Sequence, residues 1–100
     1  SIKARKNLSA NGFTEATILI TPKGNIHNRP LITFRGLPIY EKEEFQNGLE
    51  DEIDRTVKSF SLNNKKQETN LVDALKSTCR KFTKLKTGKR PLANINLVRI

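Results

Sequence analysis

The sequence predicts an α+β fold: a two-layer sandwich in which a three-stranded sheet carries two antiparallel helices on one face, in the order β-β-α-α-β. Three observations lead there. Apolar residues alternate in two early tracts and again near the end of the chain, and they recur at helical intervals across two long tracts between them. The chain has 100 residues, enough for one hydrophobic core and too few for two.

The first strand is expected from about Phe13 to Thr21, where Thr14, Ala16, Ile18 and Ile20 alternate with Glu15, Thr17 and Leu19 among many β-branched residues. Pro22-Lys23-Gly24-Asn25 is turn chemistry. A second extended run is expected from about Pro30 to Arg35, ended by Gly36, so the pair reads as a hairpin with a long loop that contains His27. Leu19-Ile20-Thr21-Pro22-Lys23-Gly24 and Leu31-Ile32-Thr33-Phe34-Arg35-Gly36 echo each other, but two short copies make similar strands rather than a repeat array.

Between about Glu41 and Leu62, the residues Phe45, Leu49, Ile53, Val57 and Phe60 form a helical stripe, and acids at its start suit the positive end of the helix dipole. The polar run Asn63 to Asn70 is expected to break the pattern. A second stripe of Leu71, Leu75, Thr78, Phe82 and Leu85 follows, with Asn70 as its expected N-cap. Gly88 is placed to end that helix, Pro91 prevents its resumption, and Leu92 to Ile100 reads as the last strand. Because that strand is apolar on both faces, it is expected to be central and covered on one side by something else; the strand order stays open.

Composition narrows the class. Hydrophobic residues make up 35% and charged residues 29%, with five Gly and four Pro, which excludes collagen-like and low-complexity chains. The longest apolar runs are far too short for a membrane span or a signal peptide. The start at Ser-Ile-Lys rather than Met suggests a processed form or a piece of a longer protein. One Cys and one His exclude an internal disulfide and the usual zinc ligand sets, and a reducing compartment fits best.

The formal charge of +9 is unevenly spread. Residues 41 to 58 hold seven acids and three bases, a net of −4, which leaves +13 for the remainder. Lys76, Arg80, Lys81, Lys84, Lys86, Lys89 and Arg90 follow one another without an intervening acid. On a helix, Lys76, Arg80 and Lys84 form one ridge with Lys81 alongside, able to follow phosphates without reading bases. The plainer alternative is that these cations favour a helix C-terminus and stay solvated.

Catalytic chemistry is harder to find. His27 has no acid or thiol in sequence reach to orient it, and Cys79 falls on or beside the buried stripe as a small hydrophobe. The acids of the first helix flank an apolar stripe, as a solvated face does. The chain contains no phosphate-binding glycine loop, nucleophile elbow or paired-histidine metal motif, and its pattern fits neither a KH domain, an RRM nor a double-stranded-RNA domain. No residue is assigned a catalytic role.

The succession Arg5-Lys6-Asn7-Leu8-Ser9-Ala10-Asn11-Gly12, an aliphatic strand, Pro30-Leu31-Ile32-Thr33-Phe34-Arg35-Gly36, an acidic helix, and Thr87-Gly88-Lys89-Arg90-Pro91 before a closing aliphatic strand resembles the C-terminal domain of ribonuclease J. Gly12, Pro30, Arg35, Gly36, Arg90 and Pro91 carry the likeness. Two positions depart from it: Leu37 stands where the family has an aromatic, and the last strand is less aliphatic. The resemblance implies a parent enzyme with metallo-β-lactamase and β-CASP domains that binds two zinc ions and cleaves RNA as a 5′-to-3′ exonuclease and endonuclease. It implies a C-terminal domain without metal ligands or cofactor that supports self-association and activity.

The expectation is therefore a non-catalytic accessory domain of a cytoplasmic RNA-degrading hydrolase, spanning residues 11–100 behind a tether at residues 1–10. Its expected partners are its own catalytic domains, further copies of itself through Ile95, Leu97, Val98 and Ile100, and RNA bound weakly and without sequence preference; no membrane is expected. The alternatives are an autonomous basic nucleic-acid-binding domain and a pure protein-interaction module.

Overall fold

The computed structural model describes residues 11–61 and 65–100; the expected tether at residues 1–10 and the expected loop residues Asn63 and Asn64 lie outside them. Strand β1 (Phe13–Ile20) is followed by β2 (Ile26–Arg35), helix α1 (Lys42–Lys58), helix α2 (Lys65–Thr87) and strand β3 (Leu92–Arg99). The element order β-β-α-α-β and the α+β class are as the sequence predicts.

Strand order is β2-β1-β3, with β1 antiparallel to β2 and parallel to β3. The last strand is thus an edge strand, not the central one its apolar residues suggested. The central place belongs to β1, whose alternate residues Thr14, Ala16, Ile18 and Ile20 are completely buried. Helix α2 packs over β3 and α1 over β2, and the two helices pack on each other. Between these layers Ala16, Ile18, Ile20, Ile32, Phe45, Leu49, Ile53, Val57, Leu71, Leu75, Cys79 and Ile95 form one core.

Three boundaries differ from expectation, each for a local reason. The β1–β2 connection is a tight turn rather than a long loop. The Thr21 amide donates to the Asn25 carbonyl at 2.8 Å, the Gly24 amide to the Thr21 carbonyl at 2.9 Å, and Gly24 takes φ +85°. His27 consequently lies within β2. What resembles loop sequence there is a bulge: from Thr17↔Leu31 to Leu19↔His27, β1 advances two residues while β2 advances four. Asn28 takes φ +61° inside it, a conformation that Asn tolerates, and Pro30 sits where regular pairing is already interrupted.

Helix α1 ends at Lys58, with Phe60 half-buried just beyond it. Helix α2 begins at Lys65, so Asn70 lies inside the helix rather than capping it; Lys65 to Gln67, read as loop, are good helix formers. Leu85 is 79% exposed and leaves the predicted stripe, which runs instead through Leu71, Leu75, Cys79, Phe82 and Thr83. The helix stops as expected, with Gly88 at φ +77° and its amide donating to the Lys84 carbonyl at 2.9 Å.

The helix interface depends on Gly48. A Cβ there would lie 2.7 Å from the Phe82 ring, so glycine lets that ring pack directly against the α1 backbone. The ring then meets Phe45 at 5.2 Å, and Phe45 meets Phe34 of β2 edge-on at 5.5 Å, joining three elements. Further along, the Thr56 and Thr78 hydroxyls hydrogen-bond at 2.8 Å.

Candidate functional site

Two surfaces gather several of the sequence-predicted site residues: the face of the sheet away from the helices, and a cleft at one end of the sheet beside α2.

The sheet face is set by register. Phe13, Glu15, Thr17 and Leu19 of β1 stand beside Arg35, Thr33, Leu31 and His27 of β2 on one side, and beside Leu92, Asn94, Asn96 and Val98 of β3 on the other. Its centre is polar: the Asn94 amide donates to Glu15 Oε2 at 2.8 Å and the Asn96 amide to Thr17 Oγ1 at 3.3 Å. Toward the β1 C-terminus it becomes apolar, with Leu31 70%, Val98 42% and Ile100 54% exposed around half-buried Leu19. Of the residues expected to mediate self-association, Val98 and Ile100 lie exposed here. Ile95 is buried in the core and Leu97 is half-buried against it, because strand alternation sends those two toward the helices.

The cleft encloses about 560 Å³ and is lined by Asn11, Asp73, Lys76, Ser77, Arg80, Arg90, Pro91 and Leu92. Helix α2 presents Asp73, Lys76, Ser77 and Arg80 on one side. The segment entering β3 brings Arg90 from the other, over the completely buried Pro91. Among the described residues, none of Lys76, Arg80 and Arg90 is ion-paired. Four cations elsewhere are ion-paired: Arg29 to Glu50 at 3.8 Å, Arg55 to Glu52 at 2.5 Å, Lys58 to Asp54 at 2.8 Å, and Arg99 to Glu68.

The other basic residues go to different places. Lys84 leaves the expected ridge and donates to the Gly88 carbonyl at 2.9 Å, closing the helix end. Lys86 sits over the Phe82 ring, 5.7 Å from its centre, while Lys81 and Lys89 are exposed. The structure therefore brings together Lys76, Arg80 and Arg90, and not Lys84. Sequence spacing could pair Lys76 with Arg80 at i and i+4, but only the tertiary fold supplies Arg90 and Asn11 to the same cavity.

Among the described residues no group of three His, Cys, Asp or Glu side chains could hold a metal ion. His27 is exposed on the sheet, opposite Leu19. Cys79 is completely buried, and that burial pushes its thiol up to about 11, which leaves it protonated and unreactive at neutral pH. Glu41 at the start of α1 is held above the usual carboxylate range, chiefly by a side-chain hydrogen bond with Glu44 and then by that group's charge; both are exposed. The residues present do not fit the zinc chemistry implied for the parent enzyme.

Gly12, Arg35, Gly36, Arg90 and Pro91 gather at one end of the sheet, where Phe13 pairs with both Arg35 and Leu92. Gly12 takes φ +79°, and a Cβ there would lie 2.9 Å from the Arg35 carbonyl oxygen and 2.7 Å from Leu37. Its own carbonyl accepts from the Leu92 amide at 3.1 Å. Pro30 stands apart, in the β2 bulge. Three segments far apart in sequence thus build one corner, and Leu37 packs against it.

These features define a basic two-layer α+β domain with an open sheet face and a cationic cleft. The family model described as the Ribonuclease J C-terminal domain matches residues 1–100, the whole chain, and the chain belongs to that family. No curated protein matches it.

Proposed function

We propose that this chain is the non-catalytic accessory domain of an RNA-degrading hydrolase, and that it promotes self-association through the open face of its sheet. The hydrolytic centre, with its two zinc ions, would belong to metallo-β-lactamase and β-CASP domains outside this chain, and the setting would be the cytoplasm. Among the described residues no helix is long and apolar enough to cross a membrane.

The observation carrying this reading is the half-apolar sheet face, where Leu31, Val98 and Ile100 lie exposed on the side the helices leave uncovered. Apolar groups grouped in this way on a small basic domain favour burial against a partner, and a second copy offers the same polar centre and apolar end. Light scattering after size exclusion tests it at about 100 μM, a concentration high enough to detect interfaces weaker than those of standard size. An assembly larger than one chain, reduced to monomers by Leu31→Asp or Val98→Asp with the fold retained, is expected. A strictly monomeric parent chain overturns it.

The cationic cleft favours a second contribution, weak guidance of RNA without sequence preference. Its three cations, unpaired among the described residues, are suited to phosphate contacts, which carry no sequence information.

A further inference from the structure

We propose that the cleft formed by Asn11, Lys76, Ser77, Arg80, Arg90 and Pro91 is a phosphate-binding site for single-stranded RNA; this rests on the reading of the domain as part of an RNA-degrading enzyme.

Charge placement is the first reason. Lys76 and Arg80 of α2 and Arg90 of the segment entering β3 line one cavity of about 560 Å³. Among the described residues no acid is ion-paired with them, although Asp73 also lines the cavity. A cation held in a concave site keeps more of its attraction for an anion than one projecting into water, because the surrounding low-dielectric walls weaken screening.

The donor set is the second reason. Arg80 and Arg90 offer planar, fork-shaped donors suited to phosphate oxygens, and Lys76 adds a point charge. The Ser77 hydroxyl and the Asn11 amide supply neutral donors at the same cavity. Lys76 and Arg80 are separated along α2 by about 6 Å, one helical turn, so together they can serve successive phosphates of an extended strand.

What the cleft lacks fixes the kind of recognition. Its lining contains no aromatic side chain, so it offers no ring on which a base could stack, and its donors suit the backbone phosphates. Binding through this site is sequence-neutral. It also differs from a uniform basic ridge, because Lys81 and Lys86 lie outside it and contribute little.

The test is an anisotropy titration of the 100-residue chain with a fluorescent oligouridylate at about 50 and about 150 mM salt. Each phosphate neutralised on a single strand contributes about 0.7 to the slope of log affinity against log salt. Three contacts predict a fall of about tenfold over this range, and Arg80→Gln with Arg90→Gln should reduce it to about twofold. Lys81→Gln with Lys86→Gln removes the same charge outside the cleft and should leave the tenfold dependence intact.

Equal losses in the two double variants overturn the cleft site while leaving RNA guidance standing. Absence of binding by the parent chain at the lower salt overturns both. Equally tight, equally Arg-dependent binding of polyglutamate would assign the cleft to an acidic protein segment and overturn the RNA assignment. Should a variant melt early, the backbone amide resonances of the parent chain give a second readout: the oligouridylate should shift Lys76, Ser77 and Arg80, and unchanged signals there overturn the proposal.

Discussion

On the helix side of β1, Thr14, Ala16, Ile18 and Ile20 are completely buried, whereas Phe13, Glu15, Thr17 and Leu19 on the other side are only half-buried. Eight consecutive residues thus face two environments, one closed by α1 and α2 and one left open. The difference teaches how stability and association are divided in so small a domain. The covered face supplies the core, so a one-residue slip of register would expose it entirely. The open face is half-buried and is left uncovered by the helices.

The strongest challenge to this division is Ile18→Ala. Truncating a buried Ile costs about 2–5 kcal/mol, and urea unfolding should show a loss in that range with no loss of association beyond what unfolding causes. A loss below about 1 kcal/mol, the scale of Ile→Val, would mean that the helices do not close over the strand.

Cys79 probes the same closure through pH. Its thiol rises from 9.0 to about 11 because of burial. A folded state that holds this proton more tightly than the unfolded chain has the full contribution below pH 9, then loses it as pH rises through about 11. Two pH units correspond to about 3 kcal/mol. Stability should therefore fall more steeply with pH over that window in the parent than in Cys79→Ala. Parallel curves would show that water reaches the thiol.

Thr14 sharpens the comparison in the opposite direction. Its hydroxyl is buried and, among the described residues, has no hydrogen-bond partner; Thr83 shares that condition. Replacing Thr14 by the similarly shaped Val should raise stability by about 1 kcal/mol, read as an increase in Tm. A decrease would reveal a hydrogen bond made in solution.

The smallest effect belongs to the open face. Leu31→Asp should change monomer stability by no more than about 0.5 kcal/mol, measured at a dilution where any assembly has dissociated. A loss comparable to that of Ile18→Ala would erase the distinction between the faces.

Much of this division was legible in the chain. The alternation from Thr14 to Ile20 announces which face of β1 is buried, and Phe45, Leu49, Ile53 and Val57 announce α1. Other features depended on partners distant in sequence. Nothing local tells that β1 rather than β3 lies in the middle, since both strands mix apolar residues into either face. Asn28 and Pro30 read as loop residues because a bulge and a loop ask for the same backbone permissiveness. Leu85 keeps the spacing of the expected stripe yet faces water, because the buried face passes through Cys79 and Thr83, and two residues beyond Thr83 is the opposite side of the helix.

The cleft was half visible. Lys76 and Arg80 share a helix face by spacing alone, whereas Arg90 joins them only because the chain turns back at Gly88. Lys84 left the ridge for a reason that is local, the free carbonyls at the helix end. Gly48 offered a signal that passed unread: a glycine inside an amphipathic helix costs about 1 kcal/mol relative to Ala, and the Phe82 ring is what makes that cost acceptable.

The bulge in β2 also bears on how far copies of this chain can add to one another edge to edge. Irregular pairing and a proline on an outer strand discourage a neighbouring strand from docking, which leaves β3 as the more receptive border of the sheet. Should two copies join there, both borders of the enlarged sheet would be β2 strands carrying the same obstruction. Growth would then halt at a pair instead of running on into a filament.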